Sequence, residues 1–260
     1  LSISGLAVDY NETITLDEGW SIIGYFHQEC GPLEVFEPYS EGIVIIKDEN
    51  GNVYWPEYEL NSIESMCPGE GYQIKTLIDF SFSYENLPDG RLNSLNSSVN
   101  TYFSQPKITG NNMTILFPFE SKNNVLFEHG EIAAYDQNGL LVGSVTIANN
   151  HTVLTVWGDD STTLEKDGIY EGEEVLFKYW NAETNQCSNM ELVLSEGYRY
   201  YNIDGINVVS QINLNTNFSN NKRLIQVVDV LGRPLSECSR GVLLIYVYSD
   251  GSIERKYCNK

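Results

Sequence analysis

The sequence predicts an all-β protein made of two antiparallel β modules and a small C-terminal β-domain. Short apolar segments of strand length recur along the chain, separated by turn residues rather than by long helical patterns. Gly accounts for 21 of the 260 residues, and Asn and Ser are frequent, as in β-rich proteins with many turns. With 42% apolar residues, the chain has enough hydrophobic side chains to fold.

The first module is predicted over residues 1–79. Asp48-Glu-Asn-Gly51 has the composition of a hairpin turn between two of its strands. Short helical turns are expected at 32–39 and 60–66. The predicted strands follow the alternation of side chains and lie at 13–16, 20–26, 42–47, 53–55 and 71–77.

A Ser/Asn-rich segment over 80–106 has no sustained periodicity and is predicted to be a linker. The second module then covers 107–211, with a hairpin turn at Asp136-Gln-Asn-Gly139. Its short strands are typical of an antiparallel β-sandwich or jelly-roll. They are predicted at 113–117, 131–135, 140–147, 152–157, 174–180 and 190–194. Residues 212–221 form a second predicted linker.

The C-terminal β-domain is predicted over 222–260, with strands at 224–230, 242–248 and 252–257. Asp250-Gly251 is a strong hairpin signal, and a tight turn there would place Cys258 opposite Leu243. A segment of this size is near the limit at which a β structure supports its own core. Both faces of its first two strands are apolar, so we expect this domain to dock on another surface.

Three features of this domain occur in a characteristic order: Val-Asp-Val-Leu-Gly-Arg at 228–233, Gly-Val-Leu-Leu-Ile-Tyr at 241–246 and a terminal Lys. This arrangement resembles the C-terminal sorting domain of type IX secretion cargo in Bacteroidota. The resemblance implies recognition by the outer-membrane type IX machinery. The Pro-Asn-Pro-like opening of such domains is absent, which leaves cleavage and retention of the tail both open. The implied sorting and docking residues are Val228, Asp229, Leu231, Gly232, Arg233, Gly241, Tyr246, Asp250, Gly251 and Lys260.

Two further segments resemble modules of Bacteroidota proteins. The stretches "EGWSIIGYFHQEC" and "GIVIIKDENGNVYWPEYELNSIESMCPGEGYQIKT" are similar to a module of secreted proteins and of viral sequences, with no established activity. The stretches "GEIAAYDQNGLLVGSV" and "EKDGIYEGEEVLFKYWN" resemble a β-sandwich module of surface proteins. Both resemblances imply a protein displayed outside the cell.

The five cysteines predict disulfides rather than a zinc site, because no C-x-x-C pair occurs and the three His are scattered. Their placement suggests one bridge within the first module, Cys30–Cys67, and one within the tail, Cys238–Cys258. Cys187 is left unpaired. Disulfides agree with an extracellular or bacterial cell-surface location.

The net charge of −21, from 15 basic and 36 acidic residues, argues against binding to nucleic acid or to anionic lipid. The longest apolar run, 242–248, is far shorter than the roughly 20 residues that cross a bilayer as a helix, so no direct membrane insertion is expected.

The sequence contains none of the common catalytic motifs: no G-x-S-x-G, no H-E-x-x-H, no P-loop and no dinucleotide fingerprint. We therefore expect no enzymatic activity. Tyr54, Trp55 and Tyr58, beside two glutamates, are the candidate ligand-binding aromatics for a saccharide. The alternative is that Trp55 and Pro56 pack the end of a strand.

A second candidate site lies in the acidic stretch 157–174. No cofactor is expected except calcium, which takes about six to eight oxygen ligands. The spacing is not that of an EF-hand, and a solvated loop between two strands is the alternative. The candidate ligands are Asp159, Asp160, Asp167 and Glu171.

Together these observations predict a non-catalytic extracellular or cell-surface protein with a structural or adhesive role. The C-terminal β-domain would direct type IX secretion and dock on a partner or a neighbouring subunit, using exposed strand edges. The expected partners are the outer-membrane secretion machinery and either further copies of the chain or a surface glycan. The alternatives are a phage virion component, such as a tail fibre or decoration protein, and a carbohydrate-binding module.

Overall fold

A computed structural model confirms that the protein is all-β. The structure describes residues 9, 11–84, 101–118, 121, 129–148, 150–215, 224–229, 233, 243–248 and 253–257. The chain divides into two compact units, Leu1–Asn215 and Thr216–Lys260. The sheets of both predicted large modules thus belong to the first unit. In the described residues no helix is long and apolar enough to cross a membrane.

The N-terminal part of the first unit is built on a five-stranded antiparallel sheet. Its strands are β2 (Gly19–Gly24), β3 (Ile43–Lys47), β4 (Val53–Trp55), β5 (Leu60–Asn61) and β6 (Gly71–Thr76), in the order β2-β6-β3-β4-β5. β1 (Ile14–Leu16) and β7 (Phe80–Phe82) form a separate antiparallel pair. One core packs between these elements, with Phe36 and Tyr84 fully buried.

Of the two helical turns predicted in this part, one is present in the structure and the other is not. Leu33–Gly42 is a 3-10 helix, as the predicted helical turn at 32–39 suggested. The helical turn predicted at 60–66 is wrong. Leu60–Asn61 pairs with β4, and Ser62 exchanges backbone and hydroxyl hydrogen bonds with Val53, so the segment is held extended.

The predicted disulfide between Cys30 and Cys67 is confirmed, with a Cα–Cα distance of 4.1 Å. Beside it, Gly31 and Met66 exchange two backbone hydrogen bonds of 2.9 and 2.8 Å. Cys187 is a free thiol whose pKa is raised by burial. The predicted tail bridge, Cys238–Cys258, lies outside the described residues.

The second part is a single seven-stranded sheet. Its strands are β8 (Asn112–Phe117), β9 (Gly130–Tyr135), β10 (Leu141–Thr146), β11 (Thr152–Trp157), β12 (Leu176–Asn181), β13 (Gln186–Glu196) and β14 (Ile206–Asn215). The order is β10-β9-β12-β13-β14-β8-β11. All pairings are antiparallel except β14 with β8, which is parallel.

This sheet curls until its two edge strands meet, so it approaches a closed barrel around one apolar core. At Gly143 on β10, an added Cβ would lie only 2.5 Å from the carbonyl oxygen of Thr155 on β11. Glycine is therefore required where the edges approach. The strand β14 was not predicted, and its last residues fall in the segment 212–221 that the sequence suggested as a linker.

Both ends of the predicted linker 80–106 are ordered against their neighbours. β7 occupies its first residues. At its other end, the buried carboxylate of Glu131 accepts the backbone N–H groups of Tyr102 and Phe103 at 2.7 and 2.9 Å. Tyr102 stacks on Trp180 with ring centroids 4.7 Å apart. The remainder, 85–100, lies outside the described residues.

The five-stranded sheet packs directly on the barrel through a third apolar cluster. Side chains of Ile45, Val53 and Trp55 meet Leu116 and Val208 there. The hairpin turn predicted at 48–51 reaches the same junction. Its Gly51, with φ of +84°, accepts a 3.0 Å hydrogen bond from the hydroxyl of Thr155, and a Cβ at Gly51 would overlap that side chain.

We predict that Trp55→Ala destabilises the whole first unit, because Trp55 is 2% exposed at this junction. Removing such a buried aromatic side chain costs about 3–5 kcal/mol of unfolding free energy. The measurement is urea denaturation followed by fluorescence. The control, Ile22→Ala, removes a side chain that is 78% exposed and should change the free energy by less than about 0.5 kcal/mol. Equal effects of the two variants would contradict the role of the junction.

Candidate functional site

The C-terminal unit contains a three-stranded antiparallel sheet. β15 (Leu224–Val228) and β17 (Ile253–Tyr257) flank β16 (Leu243–Tyr248). The three predicted strands are thus present. Leu243 pairs with Tyr257 and not with Cys258, so the hairpin register is one residue away from that of a tight Asp250-Gly251 turn.

Two described residues of the sorting-like motif, Asp229 and Arg233, are held together by hydrogen bonds. Asp229 is buried, and its carboxylate accepts the Arg233 backbone N–H at 3.0 Å and the Nε at 2.7 Å. The Asp229 N–H donates in return to the Arg233 carbonyl at 3.0 Å. The guanidinium Nη2 also lies 2.7 Å from the same carboxylate, while the Arg233 side chain remains 72% exposed. The carboxylate therefore fixes the position of an exposed guanidinium.

The other predicted docking residues divide between the described and undescribed parts of the tail. Val228 is buried at the end of β15, and Tyr246 is half-buried on β16. Within the described residues of this sheet, β15 and β17 each pair on one side only. Edge strands of this kind accept an added strand. The remaining predicted residues, which lie outside the described part, are Leu231, Gly232, Gly241, Asp250, Gly251 and Lys260.

The predicted ligand-binding aromatics do not form an exposed platform. Trp55 is buried at the junction, Tyr54 packs against the N-terminal core, and Tyr58 contacts both Trp55 and His151 edge-on at 5.2 and 5.9 Å. Burial raises the pKa of Tyr54 and of Tyr58. The packing interpretation of Trp55 therefore fits the structure, and a saccharide has no free indole face to stack on.

The predicted calcium ligands are used to fold their own loop. The Asp167 carboxylate accepts the Asp160 N–H at 3.0 Å and the Lys107 ammonium at 2.5 Å. Asp159 accepts the Asp167 N–H at 2.9 Å, and Asp160 accepts from Thr162. Among the described residues, no three His, Cys, Asp or Glu side chains converge on a metal position. Asp159, Asp160, Asp167 and Glu171 are thus not assembled as a calcium site.

The same loop is tied to the hairpin turn at 136–139 by an ion pair that the sequence did not predict. One oxygen of the buried Asp136 carboxylate accepts the N–H groups of Asn138 and Leu140 at 2.9 and 2.7 Å. The other accepts the Lys166 ammonium at 2.8 Å. Burial acts to raise the pKa of Asp136, but these hydrogen bonds and the Lys166 charge outweigh it and lower the pKa.

Three exposed tyrosines were also missed by the sequence reasoning. Tyr170, Tyr198 and Tyr200 are 50%, 73% and 48% exposed. Tyr170 and Tyr200 lie on neighbouring loops, which Gly172 and Tyr201 join through a 2.8 Å backbone hydrogen bond. Exposed tyrosines are well suited to contacts with another surface. For Tyr198 and Tyr200 the signal is present in "EGYRYYNID", where three tyrosines within four residues exceed what one core face takes up.

A lysine is buried at the junction between the five-stranded sheet and the barrel. Lys47, at the end of β3, is 1% exposed and donates to the Asn112 Oδ1 at 2.9 Å and to the Asp204 carboxylate at 3.3 Å. Its ammonium also lies 4.7 Å from the centre of the Trp20 ring. Desolvation by burial lowers the pKa of Lys47 although the nearby Asp204 acts in the opposite direction.

Comparisons with protein-family models, with curated proteins and with solved structures find no match for this chain.

We predict that Asp136→Asn lowers the unfolding free energy by about 2 kcal/mol at neutral pH, because charged hydrogen bonds are lost. The pKa of Asp136 is lower in the folded state than the value of about 3.9 in the unfolded state. The carboxylate therefore stabilises the fold above that value, and its contribution disappears as the pH falls further.

The measurement is denaturant unfolding from pH 7 to pH 2, and the difference from the parent protein should shrink below about pH 4. Asp17→Asn, at an exposed position, is the matched control and should lack this dependence. A difference that stays constant over the range would contradict the ion-pair assignment.

Proposed function

We propose that this chain is a non-catalytic structural or adhesive protein of the bacterial surface or its surroundings, exported by a type IX pathway. The observation that carries the proposal is the C-terminal unit. It is a compact unit that contains the hydrogen-bonded pair Asp229 and Arg233 of the sorting-like motif. A small β unit whose described strands β15 and β17 each pair on one side only, and which carries the exposed Arg233 guanidinium, suits recognition by an outer-membrane receptor.

Two further features of the chain support an extracytoplasmic setting for this function. The Cys30–Cys67 disulfide is of the kind that persists in oxidising compartments. The chain also carries a net charge of −21, which favours solubility at high local concentration.

The adhesive part of the proposal is supported by the exposed tyrosines at the end of the barrel. Tyr198 and Tyr200 leave large aromatic surface in solvent, next to charged side chains such as Arg199 and Glu174, which are paired with each other. Aromatic side chains and Arg are enriched at protein contact sites. The role assigned to this surface is attachment to a partner or to a neighbouring copy.

The test is surface display of the full chain in its own host. Deleting residues 216–260 should abolish display while leaving the first unit folded and disulfide-bonded inside the envelope. Arg233→Ala should reduce display several-fold, because the pair of Asp229 and Arg233 is lost. Arg255→Ala, at an exposed position on β17, is the matched control and should be displayed normally.

Display is measured by protease accessibility on intact cells, with the total amount of protein fixed by immunoblot. Normal display of the truncated chain would overturn the export role of the C-terminal unit. An equal loss in Arg233→Ala and Arg255→Ala would overturn the role of the pair.

A further inference from the structure

We propose that Lys47 and Asn112 become joined by an intramolecular amide bond, which covalently links the five-stranded sheet to the barrel. The ammonium of Lys47 and the side-chain carbonyl of Asn112 are 2.9 Å apart. The carbonyl bond is about 1.2 Å long, so the lysine nitrogen lies at most about 4 Å from the carbon it would attack. The two groups are thus close to an attack geometry.

The surroundings remove water from both reacting groups. Lys47 is 1% exposed and Asn112 is 6% exposed. Ile45, Val53 and Trp55 belong to the apolar cluster at the same junction, and the Trp20 ring covers the lysine nitrogen. An amine without water is more easily held in its neutral, nucleophilic form. The direction of the Lys47 pKa, lowered by desolvation, agrees with this environment.

Asp204 is placed to move the protons. Its carboxylate lies 3.3 Å from the Lys47 nitrogen, and its own N–H donates to the Asn112 backbone carbonyl at 2.9 Å. The Asp204 backbone has φ of +59°, in the left-handed region where aspartate occurs more often than most residues with a side chain. The loop is therefore bound to the Asn112 backbone while its carboxylate contacts the Lys47 ammonium.

The reaction balances without any co-reactant. A proton passes from the Lys47 ammonium to Asp204, which leaves a neutral amine and a neutral acid. The amine nitrogen forms a bond to the Asn112 side-chain carbon. Asp204 donates its proton to the departing amide nitrogen. The Asp204 carboxylate then takes up a proton from the attacking Lys47 nitrogen. The carbon–nitrogen bond of the original amide breaks. The products are the new amide, ammonia and the acid, which then transfers its proton to ammonia.

The same three groups also have a purely structural use as a hydrogen-bonded ion pair with one buried partner, Lys47, and one partner, Asp204, whose side chain is 30% exposed. Such a pair does not require an asparagine side chain as the second acceptor. The amide bond gives each of the three side chains a chemical role. It also lies outside the proposed function, because it depends on the first unit alone and not on export or docking.

The test is mass spectrometry of the purified, folded full chain after reduction. The cross-link lowers the intact mass by about 17 Da, the mass of ammonia. Trypsin does not cleave after an acylated lysine, so residues 1–75 should stay joined to residues 108–122 in one branched peptide. The parent protein should yield this peptide, and Asp204→Asn should form it about 100-fold more slowly.

The matched control is Glu183→Gln, an exposed carboxylate away from the junction, which should cross-link like the parent protein. Lys47→Met keeps the buried volume and should give the full sequence mass.

A parent protein of full sequence mass, with separate peptides, would overturn the proposal. So would a loss of about 17 Da that maps to the Asn50-Gly51 or Asn138-Gly139 steps, where a cyclic imide forms without any lysine. Undiminished cross-linking in Asp204→Asn would overturn the role of Asp204.

Discussion

The first unit depends on the burial of one apolar cluster between two sheets. Neither sheet encloses Ile45, Val53 and Trp55 by itself, since these side chains leave the five-stranded sheet and finish their packing against β8 and β14 of the barrel. The N-terminal core and the barrel core are two further, separate apolar clusters. The junction is therefore the element that turns two β structures into one unit, and the contact of Gly51 with Thr155 fixes where they touch.

Within this apolar junction the protein places a lysine, which is costly. A buried ammonium must recover, through hydrogen bonds and opposite charge, the hydration it loses. Lys47 does so with one amide oxygen, one carboxylate and one aromatic ring, contributed by β8, by the loop before β14 and by β2. Before the proposed amide bond forms, the cation thus favours a single register between the sheets, because a shift of one residue would leave its charge unpaired.

The sequence predicted local structure well where turn chemistry is strong. The Asp48 and Asp136 side chains each accept backbone N–H groups in the predicted hairpin turns. The strands on either side of these turns were therefore predicted as well. The same approach failed for β14, where Asn and Gln alternate with Ile and Leu in a manner that also suits a linker. β14 pairs along most of its length with β13, the strand before it in the chain. Its first residues also pair in parallel with β8, about ninety residues earlier, which no local pattern indicates.

The candidate sites were also only partly predictable from the sequence. The pairing of Cys30 with Cys67 was predictable because both lie in one module. Packing of Trp55 at a strand end was one of the two interpretations that the sequence offered. The hydrogen-bond partners of Lys47 were not predictable, since Asp204 is 157 residues away from the lysine. The composition of the acidic loop suggests a metal site. In the structure, Asp159, Asp160 and Asp167 instead take part in hydrogen bonds that involve backbone N–H groups and the Lys107 ammonium.

The parallel pairing of β8 with β14 has a consequence for the order of events during synthesis. The chain must be made through Ile206–Asn215 before the sheet can surround its core, because β14 lies between β13 and β8. Because β8 and β14 are so distant in sequence, their contacts raise the contact order of the fold. The seven-stranded sheet is therefore expected to close slowly. The strand order itself therefore delays the formation of the core until β14 has been made.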